Sequence, residues 1–297
     1  RIDWCCLIVG IVCMQKECIN CNLNQVKKIC KILNYNFDQE KQLTDLVKQE
    51  LKDCDMSLTN PEVMGKLWLK ITKFINSKDP YKTIKKEYND LLLSLEDEIK
   101  KYIHSFEDIL NISIASNLID FAAKHQFNQE DVKKLLIENQ KLKLAINDSD
   151  KLKKKILESQ SLLYIGDNCG EIVCDKLFIE YIQQMNPHLS ITYAVRGQPV
   201  VNDITYDDAC YVGMDKIANI IDNGTYTLGT VLRKTNQRFK DIFNQSDLII
   251  CKGQGNYEGL IHEKRKDIFF LFMAKCEIVA QPLDVDRLSI ICMQKNV

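Results

Sequence analysis

The segment SLLYIGDNCGEIVCDKLFIEYI, residues 161–182, joins an apolar strand pattern to an amphipathic helix pattern, with a break at Gly166. Asp167 and Asn168 lie in that break. When a parallel strand runs through a turn into a helix, the side chains of the turn lie at the carboxyl edge of the sheet, where open α/β folds bind ligands. The segment therefore predicts an α/β fold with a ligand site at this turn.

The rest of the carboxyl-terminal half alternates short β-rich runs with helical stretches. Besides the first strand, we predict strands at residues 189–195, 247–251, 267–272 and 276–280. Such alternation is typical of a parallel, doubly wound sheet with helices on both faces. Polar residues that directly follow these strands are therefore expected at the same edge of the sheet as Asp167.

Glycine usage divides the chain near residue 160. Only Gly10 and Gly65 precede that point, whereas nine of the eleven glycines follow it, and helices avoid glycine while βα turns need it. Apolar residues at three- and four-residue spacing predict helices at 21–34, 44–54, 62–75, 83–103, 106–124 and 130–146. We therefore predict an extension over 1–13, a helical region over 14–160 and an α/β catalytic core over 161–297.

Composition and charge narrow the classes of partner. The chain has 297 residues with 40 Lys and Arg against 41 Asp and Glu, a net charge of −1, so we expect neither nucleic acid nor an anionic membrane as a partner. Its 13 cysteines lie mostly in apolar runs, which favours a reduced, cytoplasmic protein. The apolar stretch at 4–14 is too short to span a bilayer and has no cleavage site after it, so we expect no anchor there.

Asp167 and Asn168 offer a carboxylate and an amide oxygen side by side, which are ligands that suit Mg²⁺ or Mn²⁺. An Asp-Asn pair after a strand also caps helices, so the pair alone leaves both roles open. Asp203 follows the strand at 189–195 through a Pro-containing turn and would add a carboxylate at the same edge. Arg196 opens that turn and is suited to hold a phosphate or a carboxylate.

Two lysines follow later strands. Lys252 opens the glycine-rich segment KGQGNYEG (252–259), where backbone N–H groups can approach an anion, although the spacing of a Walker loop is absent. Lys275 lies between apolar residues in FLFMAKCEIVA (270–280), so its charge must be paired or reach solvent. A lysine at a sheet edge can neutralise phosphoryl charge.

Four segments in this order, GDNCGEIVCDK, RGQPVVNDITYDDA, KGQGNYEG and FLFMAKCEIVA, resemble the signature segments of the metal-dependent damage-control phosphatases, also called the domain-of-unknown-function-89 family. The resemblance runs from about residue 17 to about residue 286. ECINCNLNQ (17–25), with a CxxC at Cys18 and Cys21, and SNLIDFAA (116–123) further resemble the archaeal and bacterial-type branch. The resemblance to this family implies a three-layer α/β/α Rossmann-like core with a mainly parallel sheet, preceded by a helical region.

By this resemblance the activity is hydrolysis of phosphate esters of small metabolites, such as sugar phosphates, nucleotide-related compounds or damaged phosphometabolites. Asp167, Asn168 and Asp203 would bind a divalent cation, Mn²⁺, Mg²⁺, Co²⁺ or Ni²⁺, and Lys275 would complete the catalytic set. The phosphate and substrate pocket would be lined by Arg196, Lys252, Asn256, Glu258, Asn117 and Asp120. Either a water activated by a carboxylate or an aspartate would act as the nucleophile.

Other interpretations stay open at this point. A glycine-acidic turn after the first strand can also hold the nucleoside of an S-adenosylmethionine-dependent methyltransferase. A non-catalytic phosphometabolite-binding protein could use the same scaffold. Cys18 and Cys21 could ligate zinc, but two buried thiols at a helix start explain the CxxC without a metal, because no second CxxC accompanies it. The substrate and the oligomeric state have no readable signal.

Overall fold

The computed structural model describes residues 13–118, 129–140, 143–265 and 267–295. Three features of the sequence analysis lie outside these ranges. They are residues 4–12 of the apolar stretch, the predicted site residue Asp120, and residues 119–124 of the helix predicted at 106–124. Among the described residues, no helix is long and apolar enough to cross a membrane.

Helices and strands alternate in the second half of the chain, as the sequence pattern indicated. The helices are α1 (Lys16–Ile32), α2 (Phe37–Lys52), α3 (Asn60–Phe74), α4 (Lys82–Lys100), α5 (Phe106–Ala115), α6 (Gln129–Gln140), α7 (Ser149–Glu158), α8 (Glu171–Met185), α9 (Tyr206–Tyr211), α10 (Gln237–Gln245), α11 (Gly253–Leu260) and α12 (Glu277–Ala280). The strands are β1 (Ile146–Asn147), β2 (Ser161–Ile165), β3 (Ser190–Val195), β4 (Asn219–Asp222), β5 (Leu248–Lys252), β6 (Ile268–Met273) and β7 (Ile290–Gln294).

The strands form one seven-stranded sheet in the order β1-β7-β6-β5-β2-β3-β4. Neighbours are parallel except β6 and β7, which are antiparallel. From β2 the chain winds outward through β3 to β4 and then returns to the other side of β2 as β5. The carboxyl ends of β2 and β5 therefore flank the point where the winding direction reverses, which is the place where open α/β sheets bind ligands.

Each face of the sheet carries its own apolar core. Leu162 and Tyr164 of β2 pack with residues of α5 and α8, whereas Leu163 and Ile165 pack with residues of α10 and α11. Since successive side chains of a strand point to opposite faces, both sides of the sheet are covered by helices. The predicted three-layer α/β/α arrangement with a mainly parallel sheet is confirmed.

The amino-terminal helices bring a third core to the edge of the sheet that carries the predicted site. Residues of α1, α2 and α3 pack together with Val200 and Val201, which lie in the turn after β3. The indole nitrogen of Trp68, on α3, donates a hydrogen bond to the carbonyl oxygen of Pro199 at 3.1 Å. The predicted helical region is confirmed, and it packs on the turn that carries Asp203.

The structure differs from the sequence-based elements in the shortest segments. The strand predicted at 276–280 is wrong, because these residues form α12 and the chain returns as the antiparallel β7. A run of four or five apolar residues suits a strand and a buried helical turn equally well. The strands β1, β4 and β7 were missed, and β1 joins the sheet from within the segment predicted to be helical.

Phe270→Ala tests the core on one face of the sheet. The ring of Phe270 is completely buried between β6 and its covering helices, so its removal should lower the free energy of unfolding by about 3–5 kcal/mol. Phe37→Ala is the control, because Phe37 is 80% exposed and its loss should change stability by less than about 0.5 kcal/mol. Urea unfolding measures both, and equal values would contradict the layer assignment.

Candidate active site at the carboxyl edge of the sheet

Main-chain hydrogen bonds join the turns that follow β2 and β3. Asn168 and Asp203 form an antiparallel bridge, and the N–H of Ile204 donates to the carbonyl oxygen of Asp167 at 3.0 Å. The three residues predicted to bind the cation, Asp167, Asn168 and Asp203, are therefore neighbours because of their backbone. All three side chains are buried.

The end of β5 closes this arrangement from the other side. Gly253 has a φ of +77°, and a Cβ atom built on it would lie 1.8 Å from Oδ2 of Asp167. No residue with a side chain can occupy this position without displacing the carboxylate. Gly253 thus lets the Asp167 carboxylate lie directly against the backbone at the reversal point of the sheet.

Buried amides and a guanidinium surround the Asp167 carboxylate. Its Oδ2 accepts hydrogen bonds from Nδ2 of Asn117 at 3.0 Å and from Nδ2 of Asn168 at 2.8 Å. Its Oδ1 lies 3.6 Å from the guanidinium of Arg196. Asn117 therefore contacts Asp167 from the segment after α5, and its role as a substrate contact stays a prediction.

The protonation of Asp167 reflects a shortage of positive charge. Burial, followed by the charges of Asp203 and Glu171, raises the pKa of Asp167 to about 8, and Lys275 and Arg196 offset only part of this. Lys275 is thus close enough to act electrostatically on Asp167. A cation in this position would compensate the buried carboxylates that the protein alone leaves short of charge.

Arg196 is directed mainly at Asp203. Its Nε donates to Oδ2 of Asp203 at 2.6 Å, and another guanidinium nitrogen donates to the hydroxyl of Thr230 at 3.3 Å. The N–H of Gly229 also donates to Oδ2 of Asp203 at 3.3 Å. The Nη2 atom of Arg196 is buried and lies 3.6 Å from Oδ1 of Asp167, but it makes no hydrogen bond among the described residues, so it can still donate to a phosphate oxygen.

Lys252 is turned into the protein, which corrects the sequence-based prediction that it lines a phosphate pocket. Its ammonium donates to the carbonyl oxygen of Ser113 at 2.7 Å, to Glu171 at 2.7 Å and to Asp175 at 2.6 Å, and the side chain is fully buried. A lysine has three N–H donors, and all three are used. Lys252 therefore binds Glu171 and Asp175 inside the protein and has no N–H group left to donate to a substrate.

Asn256 also has structural contacts in place of the predicted phosphate contact. Its Nδ2 donates to the carbonyl oxygens of Gly166 at 3.0 Å and Lys252 at 2.7 Å, which uses both amide hydrogens. Its remaining Oδ1 is an acceptor and cannot bind a phosphate oxygen. This geometry corrects the predicted role of Asn256, which instead ties α11 to the end of β2.

Glu258 belongs to a second group of polar residues, next to β6. One of its oxygens accepts from Nε2 of Gln254 at 2.6 Å, and Oε1 of Gln254 accepts from the backbone N–H of Lys275 at 2.8 Å. Burial raises the pKa of Glu258 to about 7, and the hydrogen bond from Gln254 opposes this only in part. The structure thus links Glu258 to Lys275 through Gln254, and its role as a substrate contact stays a prediction.

Comparison with known proteins identifies the family of this chain. The family model of the damage-control phosphatase ARMT1-like domain matches residues 14–290. The chain belongs to this phosphatase family. It is 31% identical to the damage-control phosphatase PH1575 of Pyrococcus horikoshii over 285 residues, which covers 95% of this chain and 98% of the relative.

Two further matches cover nearly the whole chain. A damage-control phosphatase of Archaeoglobus fulgidus is 28% identical over 279 residues, 91% of this chain and 94% of the relative. The crystal structure of a DUF89 family protein from Pyrococcus horikoshii superposes with a TM-score of 0.89 and 30% identity, covering 96% of this chain and 99% of that one. The family predicted from the four sequence segments is confirmed.

Glu171 and Asp175 have no role in the sequence-based prediction, although the structure places both next to the site residues. The position of Glu171 one turn into a helix suits the helix dipole, but its side chain accepts from Asn117, Asn168 and Lys252. Asp175 follows four residues later in the apolar run EIVCDKLF, and it accepts from the ammonium of Lys252. Two carboxylates four residues apart lie on one face of an otherwise mostly apolar helix segment. This pattern was the signal for a buried positive charge, here the ammonium of Lys252.

The donor set at the carboxyl edge fits a hard divalent cation. It consists of the carboxylates of Asp167 and Asp203 with the amide oxygen of Asn168, and oxygen ligands of this kind suit Mg²⁺ and Mn²⁺. Within the described ranges, no group of three or more His, Cys, Asp or Glu side chains could hold a metal ion. Cys18 and Cys21 are both free thiols, but only Cys18 is buried, so the prediction of two buried thiols is wrong for Cys21.

A cleft lies beside the loop 223–230, which connects β4 to the segment before α10. Its volume is about 140 Å³, and its lining consists of Glu62, Lys66, Gly224, Thr225, Tyr226, Thr227 and Lys234. The loop also contributes Gly229 and Thr230 to the surroundings of Asp203 and Arg196. The same loop therefore borders both the cleft and the predicted catalytic residues.

Gly253→Ala should abolish most of the phosphatase activity, because the new methyl group must displace the Asp167 carboxylate. A shift of this kind can lower the rate roughly 100-fold. Gly213→Ala is a matched control, since Gly213 has a similar φ of +79° but an added Cβ would meet nothing closer than 3.7 Å. Both variants bear about 1–2 kcal/mol of backbone strain. Equal activity in the two variants would contradict the close approach.

Glu258→Gln tests the raised pKa of Glu258. The folded protein keeps a proton on this carboxyl up to about pH 7, whereas the unfolded chain releases it near its ordinary value of about 4.3. The free energy of unfolding should therefore fall between these pH values, by on the order of 1–3 kcal/mol, and the variant should lack this fall. Urea unfolding at pH 5 and pH 8 measures this change in the free energy of unfolding, and Glu107→Gln, at an exposed position, is the control. An equal change in the wild-type protein and in Glu258→Gln would contradict the assignment.

Proposed function

We propose that this member of the phosphatase family is a divalent-metal-dependent phosphomonoester hydrolase of small phosphorylated metabolites. The observation that carries the proposal is the main-chain bridge between Asn168 and Asp203 beside Asp167. It gathers two carboxylates and an amide at the reversal point of the sheet. Arg196 and Lys275 add positive charge at the same place.

Asp167, Asn168 and Asp203 would hold the cation, which would be Mn²⁺, Mg²⁺, Co²⁺ or Ni²⁺, since their oxygen atoms suit hard divalent cations. When bound, such a cation supplies Lewis-acid stabilisation of the charge on a phosphoryl group. The raised pKa of Asp167 supports this assignment, since burial and the like charges of Asp203 and Glu171 make an uncompensated carboxylate unfavourable.

The residues of the chain would act by positioning and by electrostatics. Nη2 of Arg196, which has no hydrogen-bond partner among the described residues, would donate to a phosphoryl oxygen. Lys275, whose charge acts on Asp167, would compensate the charge that develops on the phosphate. Burial of the carboxylates and the guanidinium strengthens these interactions, because water does not screen them.

The substrate class that we propose is small damaged or surplus phosphometabolites, including sugar phosphates and nucleotide-related compounds. Two relatives carry the name damage-control phosphatase, and the loop 223–230, which contacts Asp203 and Arg196, also borders a cleft at the surface. The net charge of −1 supports the absence of a nucleic-acid partner. The free thiols of the described cysteines support a reducing, cytoplasmic setting.

Asp167→Asn tests the metal-dependent activity. The rate at which the variant hydrolyses p-nitrophenyl phosphate in Mn²⁺, Co²⁺, Ni²⁺ or Mg²⁺ should fall by more than roughly 10–100-fold. That smaller loss is typical of a residue that only hydrogen-bonds to a metal ligand. Its stability without metal should not fall, because the amide replaces a carboxylate whose charged form is disfavoured by burial. Asp207→Asn, an exposed carboxylate at the start of α9, should keep full activity.

Chelation provides the second arm of this experiment. Treatment with a chelator should remove the activity of the wild-type protein, and added Mn²⁺ should restore it. Activity that survives chelation, or a fully active Asp167→Asn variant, would overturn the proposal. A panel of phosphorylated metabolites, assayed with the preferred cation, then separates a poor model substrate from an inactive protein.

A further inference from the structure

We propose that Glu171 is a positioning residue that determines which atom of the Asn168 and Asn117 amides faces the ligand site. This inference rests on the proposed function, because it assumes that the site binds a divalent cation. It concerns a residue that makes no contact with the substrate in the proposed reaction. Its effect is on the orientation of the groups that do.

An asparagine can present either of two opposite groups to a cation. The amide oxygen is an acceptor and binds a cation, whereas the NH₂ group is a donor and repels it. The two groups have nearly the same size, so packing alone does not select between them. A metal site that uses asparagine therefore needs a hydrogen-bond partner that accepts only.

Glu171 is such a partner for two asparagines at once. Its Oε2 accepts from Nδ2 of Asn117 at 2.7 Å and from Nδ2 of Asn168 at 3.3 Å. Asp167 accepts from the same two nitrogens with its Oδ2. Because an ionised carboxylate only accepts, and Glu171 is paired with the ammonium of Lys252, both NH₂ groups must face Glu171 and both amide oxygens must face away from it.

The oxygen of Asn117 shows the result of this orientation. Asn117 is completely buried, and its Oδ1 has no hydrogen-bond partner among the described residues. A buried acceptor without a partner costs about 1–3 kcal/mol, so it is expected to meet a group from outside the protein. A cation, a water on that cation or a substrate hydroxyl group would satisfy it, but a phosphate oxygen would not.

A buried network prevents Glu171 from turning. Its Oε1 accepts from the ammonium of Lys252 at 2.7 Å, and Lys252 also binds Asp175. Asp175 in turn accepts from the hydroxyl groups of Tyr164 at 2.8 Å and Tyr193 at 3.1 Å. Both oxygens of Glu171 are thus committed within the protein, which separates its role from that of a cation ligand or a general base.

Glu171→Gln tests the orientation directly. The new side chain has one NH₂ group, so it cannot accept from both asparagines and from Lys252 at the same time. We expect the dissociation constant for Mn²⁺ alone, measured by titration calorimetry, to rise about 10–100-fold relative to the wild-type protein. Glu180→Gln makes the same change at a half-exposed position of α8 and should leave the constant unchanged.

A double variant separates orientation from a general loss of structure. Asn168→Asp in the Glu171→Gln background replaces the amide with a carboxylate, which presents an oxygen whichever way it turns. The glutamine amide introduced by Glu171→Gln can donate to that carboxylate. The double variant should recover most of the Mn²⁺ affinity that Glu171→Gln alone loses. A double variant that binds no better than the single one would overturn the proposal.

The outcomes distinguish this inference from the proposed function. If the wild-type protein binds no Mn²⁺, both the proposed function and this inference are overturned. If the wild-type protein binds Mn²⁺ and the dissociation constant of Glu171→Gln lies within twofold of the wild-type value, only the inference is overturned. Should Glu171→Gln fail to fold, a crystal structure of the wild-type protein with Mn²⁺ decides the matter. The amide of Asn168 should bind Mn²⁺ with one atom and Glu171 with the other, and an amide turned away from Glu171 would overturn the proposal.

Discussion

The buried ammonium of Lys252 is the charge on which the lower part of the site depends. It binds Glu171 and Asp175 with side chains that are almost completely inaccessible to water. Burial alone would lower the pKa of Lys252, but the charges of Asp175 and Glu171 outweigh it and raise this pKa above its ordinary value. Removing one member of such a group leaves an uncompensated charge in the interior, which typically costs several kcal/mol. The end of β5 and the first turns of α8 are therefore joined by charge as well as by packing.

The position of the site was predictable because strand ends are readable in a sequence. Asp167 and Asp203 each follow an apolar run, and parallel strands bring such residues to one edge. The direction of the long side chains was not predictable in the same way. Lys252 and Asn256 lie in a glycine-rich segment that resembles a phosphate loop, yet both turn toward the protein. Their partners come from α8 and from the end of β2, and no local pattern identifies such long-range contacts.

The fold was predictable to a similar degree. Buried strands of five or six residues, such as β2, β5 and β6, have a clear apolar signature, and their parallel pairing follows from the helices between them. The two residues of β1 and the four of β4 are too short for any periodicity to appear. Only the neighbouring strand in the sheet makes these segments extended. The three-layer arrangement does not depend on them, which explains why the fold class was right although three strands were missed.

The two halves of the candidate cation site are held together by the peptide backbone, through the bridge between Asn168 and Asp203. Backbone pairing is indifferent to the side chains that it carries. Random mutation at these positions would therefore change the chemistry of the site before it changed its shape. The edge of this sheet offers protein engineers a preformed frame, into which sets of ligands for other metals could be installed with little rebuilding of the surrounding fold.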